Sequence, residues 1–234
     1  MVQEFIFQQF GINHSRSSMK VGTDAVLLGA FADTSGASRI LEIGTGCGII
    51  SLMLAQRSNA QITAIDIHYE SFAEASENFA ASKWSKRLKA VHGDIRDLAG
   101  SYDLIVSNPP YFARSLKSLN AKRNFARHND NLTPKMLADV VQRLLLPQGI
   151  FVCVIPHDQG NDFRTLFLQK GLYLREMIAL RPKAGKEPNR SVLTIGFDKP
   201  DRISHWEFTI RNNESQYTEE YRSLTAAFHP DYIK

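Results

Sequence analysis

From residue 39 onward, short β-branched runs alternate with helix-length stretches, and no other feature narrows the fold so far. "RILEIG" (residues 39–44) predicts a buried strand and "GIISLMLAQRS" (48–58) the helix after it. "QITAIDI" (61–67) predicts a second strand, followed by the amphipathic "YESFAEASENFAAS" (69–82). "RLKAVHGD" (87–94), "YDLIVSN" (102–108) and "GIFVCVIP" (149–156) continue the series. "TPKMLADVVQRLL" (133–145) predicts a helix with Thr133 as N-cap and Pro134 at its first position; "DQGNDFRTLFLQKG" (158–171) predicts one closed by Gly171. Strands and helices in this rhythm build right-handed βαβ units and a parallel sheet. "LYLREMIAL" (172–180) and "SVLTIGF" (191–197) predict a late antiparallel pair. The expectation is one α/β domain over residues 1–234, with helices on both faces of the sheet: a lead (1–38), a core (39–156) and a C-terminal part (157–234).

Composition only bounds this picture. A 43% hydrophobic and 22% charged chain suits a globular protein, and a net charge of +4 favours an acidic partner weakly. Cys47 and Cys153 are too few and too distant for a disulfide framework. "MVQEFIFQQFGINHSR" does not read as a signal peptide, and no apolar run reaches membrane-spanning length, so a cytoplasmic location without membrane contact is expected. The histidines, His128 included, show no metal-ligand spacing, so no metal is expected; no obligate protein partner is evident either.

Three stretches carry chemistry. "LEIGTGCGII" puts Gly44, Gly46 and Gly48 between the first strand and its helix, where glycine allows a tight turn and close approach of backbone amides. Such a turn also serves plain strand-to-helix packing. Ile49 stands where a dinucleotide fingerprint wants glycine or alanine, and no Lys-Ser/Thr follows, so a triphosphate loop is excluded. Asp66, at the end of the second strand, can accept both ribose hydroxyls of a nucleoside or can cap the next helix. Third, "VSNPPYF" (106–112) ends a buried strand on a rigid polar-aromatic corner.

In order and spacing "LEIGTGCG", "AIDI", "HGDI" and "SNPPYF" resemble the class I S-adenosylmethionine-dependent methyltransferases over residues 39–156. That resemblance implies a seven-stranded Rossmann-like sheet of order 3-2-1-4-5-7-6 with strand 7 antiparallel, and S-adenosyl-L-methionine as cofactor. It implies that Glu42, Gly44, Thr45, Gly46 and Gly48 surround the cofactor's methionine part, that Asp66 and Ile67 take its ribose side, and that Asp94 and Ile95 flank its adenine. Asp94 can also be a simple turn acid. It further implies that N-P-P-Y marks transfer to a planar nitrogen: the Asn108 side-chain oxygen and the Pro109 carbonyl hold the amino hydrogens, while Tyr111 or Phe112 stacks on the base.

The motif does not choose its substrate. The lead "FQQFGINHSRSSMKVGTDAVLLGAFA", "ARHND" and "YTEEYRSLTAAFH" are similar to bacterial tRNA adenine N6-methyltransferases that modify valine tRNA beside its anticodon, at position 37. By that likeness the lead covers the cofactor site, and Lys20, Gly22, Thr23 and Asp24 lie near the methionine end; Thr23 and Asp24 also suit a cap for the helix they open. tRNA is the expected partner. The basic residues Arg114, Lys122, Arg123 and Arg127, with Lys183, Lys186 and Arg190, suit contacts to its phosphates. The polar segment 113–130 is expected to be mobile without RNA. N6-adenine methylation of rRNA or DNA, and glutamine N5-methylation of a protein, share the same corner and stay open as alternatives.

Overall fold

The computed structural model describes residues 4–17, 19–109 and 132–229. The lead begins with a hairpin of β1 (Glu4–Ile6) and β2 (Gly11–Asn13), paired antiparallel, and passes into α1 (Thr23–Phe31). The core then runs β3 (Arg39–Ile43), α2 (Ile49–Arg57), β4 (Gln61–Asp66), α3 (Tyr69–Ala81), β5 (Leu88–His92) and β6 (Tyr102–Ser107). After the corner come α4 (Pro134–Leu144), β7 (Leu145–Pro156), α5 (Gly160–Leu168), β8 (Tyr173–Arg181), β9 (Arg190–Gly196), β10 (Ser204–Thr209) and α6 (Glu219–Thr225).

Among the described residues the large sheet has eight strands in the order β5-β4-β3-β6-β7-β9-β8-β10. β9 is antiparallel to both β7 and β8, and every other pairing is parallel. The expected order therefore holds across the first seven, with β9 as the antiparallel strand. The expected number does not: β10 adds an eighth strand beside β8. Its sequence, "SHWEFT", exposes four of six residues and buries only Phe208, so it carries almost no apolar alternation to read.

Side chains alternate across the central strands, as the pleat requires. Ile40, Leu104, Val106, Val152 and Val154 face one core, which α1, α2, α3 and the lead cover. Leu41, Ile43, Ile105, Phe151, Cys153 and Ile155 face the other, under α4 and α5. Fully burying a side chain of this size contributes about 1.5–3 kcal/mol, so the strands carrying the loops are firmly held. Helix ends follow the sequence signals in two places. Thr133 accepts the Met136 amide and caps α4. Gly171 adopts φ +72° just past α5, where the Leu172 amide reaches Phe167 O. α1 departs from expectation: its N-cap is Gly22, with no side-chain cap from Thr23 or Asp24.

Candidate active site

All four strands β3, β4, β5 and β6 are parallel, so their C-terminal ends meet at one rim. The turn after β3 is pinned to β4: the Gly44 and Thr45 amides both donate to Ile65 O, at 2.9 and 3.2 Å. Gly44, Gly46 and Gly48 have φ of +76°, +54° and +86°, a region costly for any residue with a Cβ. Their surroundings differ. A Cβ on Gly44 would meet no described residue within 4 Å, whereas one on Gly48 would lie 2.5 Å from Phe79 Cε1 of α3. Gly44 faces the cavity; Gly48 allows helix-to-loop packing.

A cavity of about 290 Å³ opens at this rim. Of the residues singled out in the sequence, Gly44, Gly46, Asp66, Ile67, Asp94, Ile95, Asn108 and Pro109 line it. The Asp66 carboxylate is nearly buried and oriented by two amides, Gly46 N to Oδ2 and His68 N to Oδ1, both 2.9 Å. Each oxygen keeps a second acceptor site. Asp94 is held by Arg96, whose Nε donates at 2.8 Å; that bond keeps the carboxyl below its usual range. Ser107 Oγ donates to Ile43 O at 2.9 Å, tying the end of β6 to β3 and fixing where Asn108 starts. Asn108 is only 7% exposed, and its Oδ1 is buried with no hydrogen-bond partner among the described residues. An orphaned buried acceptor costs about 1–3 kcal/mol.

Glu42, Thr45 and Gly48 lie outside the cavity wall. Glu42 is fully buried behind the loop, where Oε2 accepts Thr45 Oγ1 at 2.9 Å, the Ser51 amide at 3.1 Å and the Ser51 hydroxyl. Its Oε1 has no partner among the described residues. Burial drives the carboxyl up to about 7 against the pull of those donors. Burial also pushes the neighbouring Cys47 thiol up to about 12, so it offers no thiolate at neutral pH.

Lys20, Gly22, Thr23 and Asp24 are not in the wall either. Lys20 Nζ donates to His14 O and Ser15 O within the lead, at 2.7 and 3.1 Å. Asp24 forms an ion pair with Arg190 at 3.2 Å, which joins the start of β9 to α1. Lys183 Nζ donates to Ser215 Oγ at 2.8 Å, and Lys186 lies in the same exposed turn. Tyr111, Phe112, Arg114, Lys122, Arg123 and Arg127, and with them the whole segment 113–130, fall outside the described residues.

The wall also contains residues that sequence reasoning missed: Met19 from the lead, His68, Arg96, Ser107, and Leu132 and Met136 at the start of α4. Met19 sits beside the quoted Lys20, and Met136 on the first turn of a helix already legible from its cap. Adjacency to those signals is what could have found them.

The family model "Methyltransferase small domain" matches residues 6–160. The chain is 44% identical over 227 residues to the tRNA1(Val) (adenine(37)-N6)-methyltransferase of Phocaeicola vulgatus, covering 96% of this chain and 97% of that protein. It is 38% identical to the protein of the same name from Tolumonas auensis, covering 96% of each. Among solved structures, a predicted O-methyltransferase from Agrobacterium tumefaciens aligns with TM-score 0.60 and 17% identity over 88% of this chain and 96% of that one. TYW2 of P. horikoshii, in complex with MeSAdo, aligns with TM-score 0.60 and 15% identity over 84% and 72%. These two likenesses concern the fold alone. On the family model and the near full-length relatives, the chain belongs to the methyltransferase small domain family, and within it to the tRNA1(Val) (adenine(37)-N6)-methyltransferases.

Proposed function

We propose that this chain methylates N6 of adenine 37 in tRNA1(Val), using S-adenosyl-L-methionine. The observation that carries the chemistry is Asn108 Oδ1, a buried acceptor without a partner among the described residues, beside Pro109 on the cavity wall. An exocyclic amine of adenine has its lone pair drawn into the ring and is a poor nucleophile. Two acceptors, Asn108 Oδ1 and the Pro109 carbonyl, would take both amino hydrogens and turn the nitrogen lone pair outward. The acceptors are set before substrate arrives, because Ser107 is tied to β3 and proline has a fixed φ. Stacking of the base falls to Tyr111 or Phe112, and phosphate contacts to Arg114, Lys122, Arg123, Arg127, Lys183, Lys186 and Arg190; sequence supports both assignments.

The residues present fit the cofactor. Asp66 offers a second acceptor site on each oxygen, suited to a pair of ribose hydroxyls, and Gly44 leaves space where a side chain would intrude. Glu42 Oε1 is an orphaned acceptor buried under the loop, suited to an amino-acid ammonium through a bridging water. Ile67 and Ile95, next in the chain to Asp66 and Asp94, add apolar lining suited to a purine. When bound, the cofactor supplies an activated methyl group on a sulfonium, so positioning provides most of the catalysis. In this reading residues 1–38 cover the donor, 39–156 hold it and the reacting base, and 157–234 complete the sheet and the RNA-facing turns.

Nucleoside mass spectrometry tests the proposal. A strain lacking the gene should lose N6-methyladenosine from valine tRNA, with rRNA and DNA unchanged. The wild-type gene should restore it. Asn108→Ala should bind the methyl donor and yet restore less than about 1% of the transfer, the loss expected for one well-placed acceptor. Loss of the modification from rRNA or DNA instead would move the reaction to those substrates, and near-normal transfer by Asn108→Ala would remove this residue from the chemistry.

A further inference from the structure

The lead is held over the donor cavity by one face of α3, through residues that touch no part of the cavity. Glu74 is fully buried and uses both carboxylate oxygens: Oε1 accepts the Ser15 amide at 2.8 Å and the Arg16 amide at 3.0 Å, and Oε2 accepts the Ser17 amide at 2.8 Å. The Ser15 hydroxyl adds a bond at 3.2 Å. One turn further on, Asn78 Oδ1 accepts the Asn13 amide at 3.0 Å. Its Nδ2 donates to Asn13 O and to Cys47 O of the glycine loop, both at 2.8 Å. Positions 74 and 78 share a helix face with Ala75 and Phe79, the side chains against which Gly48 packs. The same face therefore fixes the glycine loop and the lead relative to each other.

The far end of this arrangement reaches the cavity. Ser17 Oγ donates to Met19 O at 2.9 Å. Met19 lines the cavity and is the neighbour a Cβ on Gly46 would meet, at 3.9 Å. Burying a carboxylate is costly unless its lone pairs are filled, and here the donors are three successive backbone amides. Burial alone would raise the Glu74 carboxyl; the amides of Arg16, Ser17 and Ser15 outweigh it, so the group stays ionised below its usual range. An ionised, inward-facing glutamate on a helix that packs against apolar chain has no other observed partner among the described residues than the lead and the Arg16 guanidinium, 3.9 Å away.

We infer that Glu74, with Asn78, is a positioning residue for the methyl donor: it locks residues 13–17 so that Met19 closes one side of the donor cavity. The inference rests on the donor-site reading given above. Removing the lock lets the lead leave the cavity, so donor is lost more readily while the chemistry at Asn108 is untouched.

The test compares the full-length wild type with Glu74→Gln, which keeps the side chain's shape and replaces an acceptor with a donor. In donor-free protein the amides of Ser15, Arg16 and Ser17 should exchange with deuterium at least about tenfold faster, as loss of charge-assisted bonds implies. The calorimetric Kd and the KM for S-adenosylmethionine should each rise about tenfold, with kcat at saturating donor and KM for tRNA within about twofold of wild type. Faster exchange with unchanged donor affinity would make Glu74 merely structural and overturn the inference. Met19→Ala leaves every hydrogen bond of the lock in place, so it serves where Glu74→Gln does not fold. It should raise Kd severalfold alone and add little to Glu74→Gln; an unchanged Kd would also overturn the inference. Asp66→Ala separates the two levels. If it weakens donor binding and Glu74→Gln does not, only the lock fails; if neither does, the donor-site reading fails with it.

Discussion

At the scale of single residues, the site is a set of acceptors with capacity to spare. Asp66, Asn108 and Glu42 each present an oxygen with capacity that no described residue fills. Glu42 makes the cost measurable. Its folded-state value is raised by burial from 4.5 to about 7. The sign follows from linkage: the unfolded chain gives up this proton first, so the stability associated with the neutral carboxyl is full below 4.5 and is lost as pH rises through about 7. In donor-free protein this loss should amount to roughly 3 kcal/mol. Denaturant unfolding at pH 5 and pH 8 should show a drop in wild type that Glu42→Gln lacks; equal drops in both would remove Glu42 as its source. Glu42 and Asp66 were legible because they sit at the C-terminal ends of strands β3 and β4. The burial of Glu42 behind the loop, not in the wall, was not legible. Its partner Ser51 lies nine residues along the chain and only the fold brings its hydroxyl back.

At the scale of elements, the three loop glycines look alike in sequence and differ in duty. Gly48→Ala should destabilise the fold by roughly 2–4 kcal/mol, because a left-handed φ and a 2.5 Å clash with Phe79 add together. Gly44→Ala meets only the backbone strain, about 1 kcal/mol, and should instead weaken donor binding by putting a methyl where the cavity is open. Thermal melts and calorimetry on the two variants should give opposite rankings; matching effects on both readouts would erase the distinction. The strands of the core were readable from their β-branched runs, since each is buried on both faces. β10 and the β1–β2 hairpin were not, because three- to six-residue edge strands bury too little to leave a period. In α3 the sequence does carry a signal: Glu74 and Asn78 are polar residues at helical spacing on a side that faces inward.

At the scale of the whole molecule, the two described ends of the chain are clasped together. The Gln8 amide donates to Phe228 O at 2.8 Å, and Gln8 Nε2 reaches Ala226 O and His229 O at 3.1 and 2.7 Å. His229 stacks between Phe7 and Tyr221, and its Nδ1 has no partner among the described residues. Burial lowers its affinity for a proton below the ordinary 6.5. The clasp is therefore complete above that value and is lost as pH falls through the lower, folded-state one. The protection of the Gln8 amide, its exchange rate compared with the intrinsic rate at the same pH, should fall in acid for wild type and stay flat for His229→Phe; acid-sensitive protection in the variant would exonerate the histidine. None of this could be read from sequence, where the partners are 221 residues apart. The Asp24–Arg190 pair has a parallel consequence for synthesis. A ribosome that has delivered everything through Asn108 has made the oxygen proposed to grip the base, yet the arginine that pairs with α1 is still many codons away. A nascent chain halted there would hold the proposed acceptor without a finished enclosure, and competence would arrive late in translation, when the later strands emerge and draw α1 into place.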